Sequence, residues 1–584
     1  MIKTFKYLKP YLLVIIFIFI LTALRSYLNL VLPNYMRDML NDIEYYTGNQ
    51  AAQRHAIWTN TLWMGLNTLG AVLLVMVSGF FEARVSSGYG KRLRSAVYQK
   101  IETFSNFEMD QFTTSSLITR TTNDIALIQG TMMLMLRMVI LLPFLSIGAI
   151  LMAISISPQL STILIFSILA VFAIVGTVIV IVMPKFKIIQ KLIDRLNLVT
   201  RENLSGLKVV RAYNTQTAQA QKIKTAAQDN MKMGIFVNRV NSLIWPVMGI
   251  VMALTSVGIA FFANRWGLVG NGGLTGGDLS AMIQYAMQTI MSFMMITMIL
   301  MMLPRALVSA KRVMEVLECD PSIKDIEGAT VIPELVIGEI TFENVSFGYN
   351  DSDEKVLSNI SFVAKPNQTT AIIGSTGTGK STLINLVPRF YEPTSGRILL
   401  DGVDIRHYQQ DSYLQVIGYV PQKANLFKGT ISSNIAFGNE NIDLPSLERA
   451  ASIAQAQEFI DQLDEKYDYL INQGGSNVSG GQRQRLSIAR ALAKDPKIYI
   501  FDDSFSALDY KTDQKLRKAL KDNVKATILI VAQRINTIRH ADQIVVLDQG
   551  KIVGIGQHDE LINTCSVYQE IASSQLSLEE VYNA

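Results

Sequence analysis

The sequence predicts a multidomain chain. An all-α half crosses a membrane six times, and a soluble α/β half of the P-loop type follows it. Three observations predict this. Apolar residues make up 49% of the 584 residues and charged residues only 17%, a membrane-leaning balance in a chain too long for one core. Long apolar runs rich in Met, Ile and Leu fill roughly the first 300 residues and then stop. Beyond them, "AIIGSTGTGKST" joins an apolar strand to a helix-like run. These shifts place a membrane domain at 1–318, a linker at 319–337 and a nucleotide-binding domain at 338–584.

A span needs roughly 20 mostly apolar residues. Six segments qualify: Tyr11–Leu32, Ile57–Phe81, Met132–Ile156, Leu160–Met183, Leu243–Ala263 and Leu279–Leu303. Pro33 is expected to close the first, and "SISPQL" to turn tightly between the third and fourth. Basic residues cluster before the first span (Lys3, Lys6, Lys9), after the second (Arg84, Lys91, Arg92, Arg94) and after the fourth (Lys185, Lys187, Lys191, Arg195). That bias puts the N-terminus and the soluble half in the cytoplasm. The run behind "MIKTFKYLKPY" lacks a small-residue cleavage site, so it reads as a span rather than a cleaved leader.

Two internal loops, 82–130 and 184–242, are helical in pattern with almost no Gly-Pro punctuation. About 25 helical residues out and 25 back would reach roughly 35–40 Å. Such loops act as levers, with tips expected near Phe107–Ser116 and Arg211–Thr217. The net charge of +5 gives no signal for a nucleic-acid partner, and Cys319 and Cys565 lack pairing or metal spacing, which fits a reduced setting.

The soluble half carries the chemistry. Gly374, Gly379, Lys380 and Ser381 match G-x-x-x-x-G-K-[ST]. Glycines let backbone N–H groups wrap phosphate oxygens, Lys380 reaches the outer phosphates and the Ser381 oxygen suits Mg²⁺. ATP and Mg²⁺ are therefore the expected cofactors, bound across Gly374, Ser375, Thr376, Gly377, Thr378, Gly379, Lys380, Ser381 and Thr382. "KIYIFDD" is a second buried strand that presents Asp502 to Mg²⁺. "VSGGQRQR" opens a helix with Ser479, Gly480, Gly481 and Gln482, so its N–H groups and dipole face an anion. "VPQ" places Gln422 between these motifs.

Together these residues resemble the nucleotide-binding domain of ABC transporters over roughly 338–575, and the region before them resembles the membrane domain of the exporter branch. The resemblance implies further roles. Tyr349 in "VSFGYN" would stack on adenine, Gln422 would touch Mg²⁺ and sense the membrane domain, and Asp509 in "SALD" would cross a dimer interface. The lever tips would be coupling helices. In this family two nucleotide-binding domains close head to tail, each ATP lying between one phosphate loop and the other chain's SGGQ turn. One chain carries one such domain, so a second half-transporter is implied, with Ser479–Gln482 completing the partner's site.

Departures from the family pattern are as informative. The residue after the Mg²⁺ aspartate is ordinarily Glu, the base that polarises water; here it is Asp503. The lost methylene withdraws the carboxylate by roughly 1.5 Å, and a displacement of about 1 Å can cost about 100-fold in rate. "IVAQR" has Gln533 where the family has His; an amide donates a hydrogen bond but cannot become cationic. Gln473 stands where many exporters carry an acid. Two changes at one γ-phosphate suggest a site that holds ATP and rarely splits it. The pattern resembles the degenerate-site subunit of bacterial heterodimeric multidrug exporters, as do "SSLITRTTNDI" and "MLMLRMV". The expected location is the bacterial plasma membrane, in contact with lipid.

Substrate clues are fewer. Met287, Met291, Met294, Met298 and Met301 share a face of the sixth span, near Gln284 and Gln288, and thioethers suit promiscuous apolar surfaces as well as plain packing. Arg25 and Asn29 lie one turn apart in the first span, where an ionisable group implies a cavity, a partner or the interface. No acid lies deep in the predicted spans. The expected activity is efflux of drugs or other amphipathic compounds; a lipid or peptide exporter of the same build and an ATP-gated channel are the alternatives.

Overall fold

The structure is a computed structural model that describes residues 2–45, 50–269, 273–349, 355–439 and 441–575. The chain divides into two units, Met1–Glu102 with Thr114–Cys319, and Thr103–Thr113 with Asp320–Ala584.

The first unit is built of helices: α1 (Leu12–Tyr45), α2 (Gln50–Ile101) and, after the short α3 (Asn106–Phe112) of the second unit, α4 (Thr114–Thr119), α5 (Ile125–Leu134) and α6 (Ile140–Ile156). Single π-helical turns at Arg120–Asp124 and Met135–Val139 join these last three. Then come α7 (Pro158–Ser205), α8 (Leu207–Ala212), α9 (Gln216–Ser242), α10 (Ile244–Arg265) and α11 (Gly276–Glu318). Six helical stretches among the described residues are long and apolar enough to cross a membrane, and each predicted span falls on one of them. At 1.5 Å per residue the 52-residue α2 is roughly 78 Å long, over twice a hydrocarbon core of ~30 Å. The levers are thus continuations of the spans. The chain reverses at Thr113 (φ 58°) and at Asn214 (φ 52°), inside or beside the expected tips. Ser157 caps α7 and forms the tight turn before Pro158.

One expectation is corrected. Pro33 does not end the first helix; α1 runs through it to Tyr45. Proline removes the N–H that would pair with the Asn29 carbonyl; one residue further on, the buried Tyr285 hydroxyl of α11 donates to the Leu30 carbonyl at 2.8 Å. An ion pair built on a buried acid lies just beyond the second predicted span. Glu82 lies one residue past the predicted second span, is only 2% exposed and pairs with Arg137 at 3.1 Å. Arg137 sits in a π-turn of the third spanning helix. The cluster escaped notice because the acid and its partner lie 55 residues apart.

The second unit holds two main sheets. The four-stranded antiparallel sheet contains β1 (Ile340–Phe347), β2 (Leu357–Ala364), β4 (Ser395–Leu400) and β5 (Val403–Asp404), in the order β2-β1-β4-β5. The six-stranded sheet contains β3 (Thr369–Ile373), β6 (Ile417–Val420), β9 (Ile498–Asp502), β10 (Thr527–Val531), β11 (Gln543–Asp548) and β12 (Lys551–Gly556). Its order is β12-β11-β3-β10-β9-β6, parallel except for β12. A two-stranded ladder joins β7 (Gly429–Thr430) to β8 (Leu470–Ile471). Strands β9 and β10 are buried throughout, as strands covered on both faces must be. Alternate residues serve two cores: Ala371 and Ile373 pack with the helix Gly480–Ala493 on one face, while Ile372 packs with α12 (Lys380–Leu386) and the antiparallel sheet on the other.

The C-terminal helices His558–Thr564 and Ser566–Ser573 close one end of this unit. His558 Nδ1 and the Tyr568 hydroxyl lie 2.7 Å apart, both buried. Burial pushes the His558 imidazole below its ordinary range. A His whose folded value is depressed loses stability as pH falls below its unfolded value of about 6.5, because protonation favours the unfolded chain. The thermal midpoint of the purified protein is therefore expected to fall as pH drops from about 7 towards 5.5. His558→Gln should flatten that slope in differential scanning fluorimetry.

Candidate functional site

The strand order brings separate motifs to one edge. The glycine-rich loop follows β3, Asp502 ends β9 and Asp503 follows it, Gln533 follows β10 and Gln422 follows β6. Strands β3, β10, β9 and β6 are neighbours, so all four loops emerge side by side at the carboxyl ends of a parallel sheet, where α/β folds bind ligands.

The loop is a cradle that side chains would fill. Gly377 and Gly379 have φ of 86° and 93°, which favours glycine. A Cβ on Gly374 would lie 2.2 Å from the Leu547 carbonyl oxygen. Gly379 caps α12, so the first N–H groups of that helix point into the loop. Lys380 curls back, its Nζ donating to the carbonyls of Gly374 (2.8 Å) and Ser375 (2.7 Å). Burial lowers the Lys380 ammonium pKa, opposed by the charges of Asp503 and Asp502. Ser381 Oγ donates to Asp502 Oδ1 at 2.8 Å. Burial raises the Asp502 carboxyl pKa, and the Ser381 bond partly offsets this.

Asp503 is the junction of the site. It is 8% exposed, has φ of 46° and donates its N–H to the Val531 carbonyl. Asp is one of the few side chains that tolerate this left-handed conformation. Its Oδ2 accepts from Gln422 Nε2 at 3.2 Å and from Gln533 Nε2 at 2.9 Å. Burial raises its pKa; the hydrogen bonds from Gln422 and Ser506 and the charges of Lys380 and Arg534 oppose the shift. Three residues from three motifs thus share one carboxylate oxygen. Ser504 and Ser506 brace the turn, donating to the Val420 and Asp503 carbonyls; Ser506 opens the SALD motif, and no motif marks Ser504.

Tyr349 is half-buried. Its hydroxyl and Thr382 Oγ1 are 3.0 Å apart, and its ring meets Phe347 and Tyr391 edge to face. Tyr391 donates to Asp110 Oδ2 at 2.9 Å, tying α3 to this aromatic group; the sequence reading had missed that link because the partners lie 281 residues apart. Among the described residues no hydrogen bond joins Ser479–Gln482 or Asp509 to the cluster. Ser479 and Gln482 form a reciprocal capping box, and a Cβ on Gly480 would meet only open space. Asp509 caps its own helix through Thr512. In the membrane unit Met287 and Met291 are exposed and Met294 packs against the cluster of Val171, Val175, Met248 and Ile290, while the side chains of Met298 and Met301 lie outside the described residues. Gln284 is partly buried, Gln288 Oε1 is buried with no hydrogen-bond partner, and Arg25 and Asn29 are partly buried.

The donor set fits magnesium nucleotide: hydroxyl, carboxylate and amide oxygens suit a hard cation, and the loop N–H groups with Lys380 suit phosphate. Gly374→Ala should lower ATP affinity at least tenfold, since the clash is with backbone. Gly377→Ala, with no atom within 4 Å of its Cβ, should keep ATP affinity within about threefold, its left-handed strain of roughly 1–2 kcal/mol falling on stability instead. Calorimetric titration of the full chain with Mg-ATP checks the contrast.

Comparison with known proteins agrees with this geometry. Residues 357–506 match the ABC transporter family and residues 13–293 the ABC transporter transmembrane region. An uncharacterized ABC transporter ATP-binding protein of Mycobacterium tuberculosis is 34% identical over 576 residues, covering 98% of this chain and 97% of the relative. The ATP-dependent lipid A-core flippase of Pseudomonas aeruginosa is 31% identical over 541 residues, covering 89% and 88%. A bacterial Atm1-family ABC exporter solved with ATP bound superposes with a TM-score of 0.82 at 25% identity, over 97% of this chain and 99% of that one. The chain belongs to the ABC transporters and is a half-transporter of the exporter type, with a transmembrane region followed by an ATP-binding domain.

Proposed function

We propose that this chain is the ATP-retaining half of a heterodimeric exporter of amphipathic compounds in the bacterial plasma membrane. The observation that carries the reading is the Asp503 carboxylate, whose Oδ2 already accepts two neutral amides.

In this reading residues Gly374–Thr382 hold the phosphates, Tyr349 stacks on the base, and Ser381, Gln422 and Asp502 hold Mg²⁺. The bound metal supplies charge neutralisation and polarises the terminal phosphate. Lys380 keeps its ammonium within the loop for phosphate. Asp503 stands where a proton acceptor for water is needed, but its short side chain is drawn towards Gln422 and Gln533. Gln533 supplies a hydrogen bond and no positive charge. The chain's own residues therefore bind and orient nucleotide well and accept a proton from water poorly. The exposed Ser479–Gln482 turn and Asp509 face a second half-transporter, whose own Glu and His would make the other site the faster one. The levers then carry closure to the spans.

Efflux of drug-like amphiphiles draws support from the exposed Met287 and Met291. The flippase relatives favour a second reading, an amphipathic lipid as cargo. Two experiments decide. In the complex assembled with its partner, single-turnover measurements should show ATP leaving this chain's site more slowly than the other; equal loss from both rejects the proposal. The Asp503→Glu/Gln533→His double variant should raise hydrolysis at this site by about 10² or more, the usual worth of a positioned acid–base group.

A further inference from the structure

Gln533 and Arg534 form a short turn, the switch turn, that leads into the helix Ile535–Ile538, whose own start is badly equipped. Its cap position is Arg534, which makes no side-chain capping bond; arginine carries donors only. The Ile535 N–H therefore has no local acceptor, in a residue that is 0% exposed. An unpaired buried donor is costly, and helix starts ordinarily recruit a side-chain oxygen.

The missing oxygen comes from the far end of the chain. Gln575 Oε1 accepts from the Ile535 N–H at 2.9 Å, and Gln575 Nε2 donates to the Gln533 carbonyl at 2.8 Å. One amide thus spans both sides of the switch turn, 42 residues away in sequence. Gln575 is itself well founded. Its N–H donates to the Ala572 carbonyl, Tyr568 and Ala572 are fully buried, and Tyr568 is held by His558. The carbonyl it grips belongs to the residue whose side chain donates to Asp503.

We propose that Gln575 is a positioning residue: the turn after the C-terminal helix reaches back through the Gln575 amide to fix the switch turn and hold the Gln533 side chain on Asp503. The function of that hold rests on the ATP-retaining reading above; the clasp itself does not.

The test uses the full chain assembled with its partner and carrying Gln575→Ala, Gln575→Glu, or either in a Gln533→Ala background. Hydrogen exchange tests the clasp without reference to hydrolysis. In Gln575→Ala the amides of the 533–538 peptide should exchange about tenfold faster, the scale of losing such bonds, with the sheet amides unchanged. Gln575→Glu keeps the acceptor for Ile535 and should restore protection there. Unchanged exchange in Gln575→Ala overturns the proposal. Single-turnover release of labelled ATP tests its consequence. Gln575→Ala should speed release about fivefold to tenfold when Gln533 is present, and add nothing once Gln533 is Ala. An equal effect in both backgrounds marks Gln575 as merely structural and also overturns the proposal. Should Gln533→Ala itself leave ATP retention intact, the retaining reading fails while the exchange result still decides the clasp.

Discussion

The nucleotide-binding unit depends on one junction, the Asp503 carboxylate at the carboxyl edge of a buried parallel sheet. Its oxygen accepts amides delivered by the loops after β6 and β10, and its backbone turns sharply enough to take a positive φ. Hydrogen bonds to a charged acceptor are worth roughly 1.5–3 kcal/mol each, so the pair sets where the carboxylate points. A group so engaged is held in one direction by its neighbours. Lys380, Asp502 and Asp503 all pay in desolvation for their place under the loop, and each is placed where phosphate or a hard cation would relieve that strain.

Much of this was legible in the sequence because the signals were local. Gly374, Gly379, Lys380 and Ser381 follow one another within a single turn and announce their own geometry. The capping box at Ser479 and Gln482 is likewise a four-residue pattern. Apolar length alone located the six spans, since a helix in lipid must satisfy its backbone within itself. The resemblance put Asp503 and Gln533 at one γ-phosphate, but the contacts themselves were not legible. Nothing in the order Gln422, Asp502, Asp503, Gln533 says that β10 lies between β3 and β9 or that both amides meet one oxygen.

The misreading of Pro33 and the missed contacts have the same origin. Pro33 is a helix breaker by local rule, yet α1 runs through it to Tyr45 and packs beside α11, whose Tyr285 bonds the Leu30 carbonyl. The pairing of Glu82 with Arg137 joins residues 55 apart and is invisible along the chain. Gln575 matches no motif at all; its place follows only from a buried C-terminal helix meeting a switch turn that lacks a cap.

The most direct measurement is the chemical state of nucleotide held by the purified full chain in lipid nanodiscs without a partner, after mixing with labelled Mg-ATP and rapid filtration. The account predicts that the retained label is ATP, with turnover far below the ~10 s⁻¹ typical of enzymes. Prompt conversion of the retained label to ADP at about 1–10 s⁻¹ would contradict it.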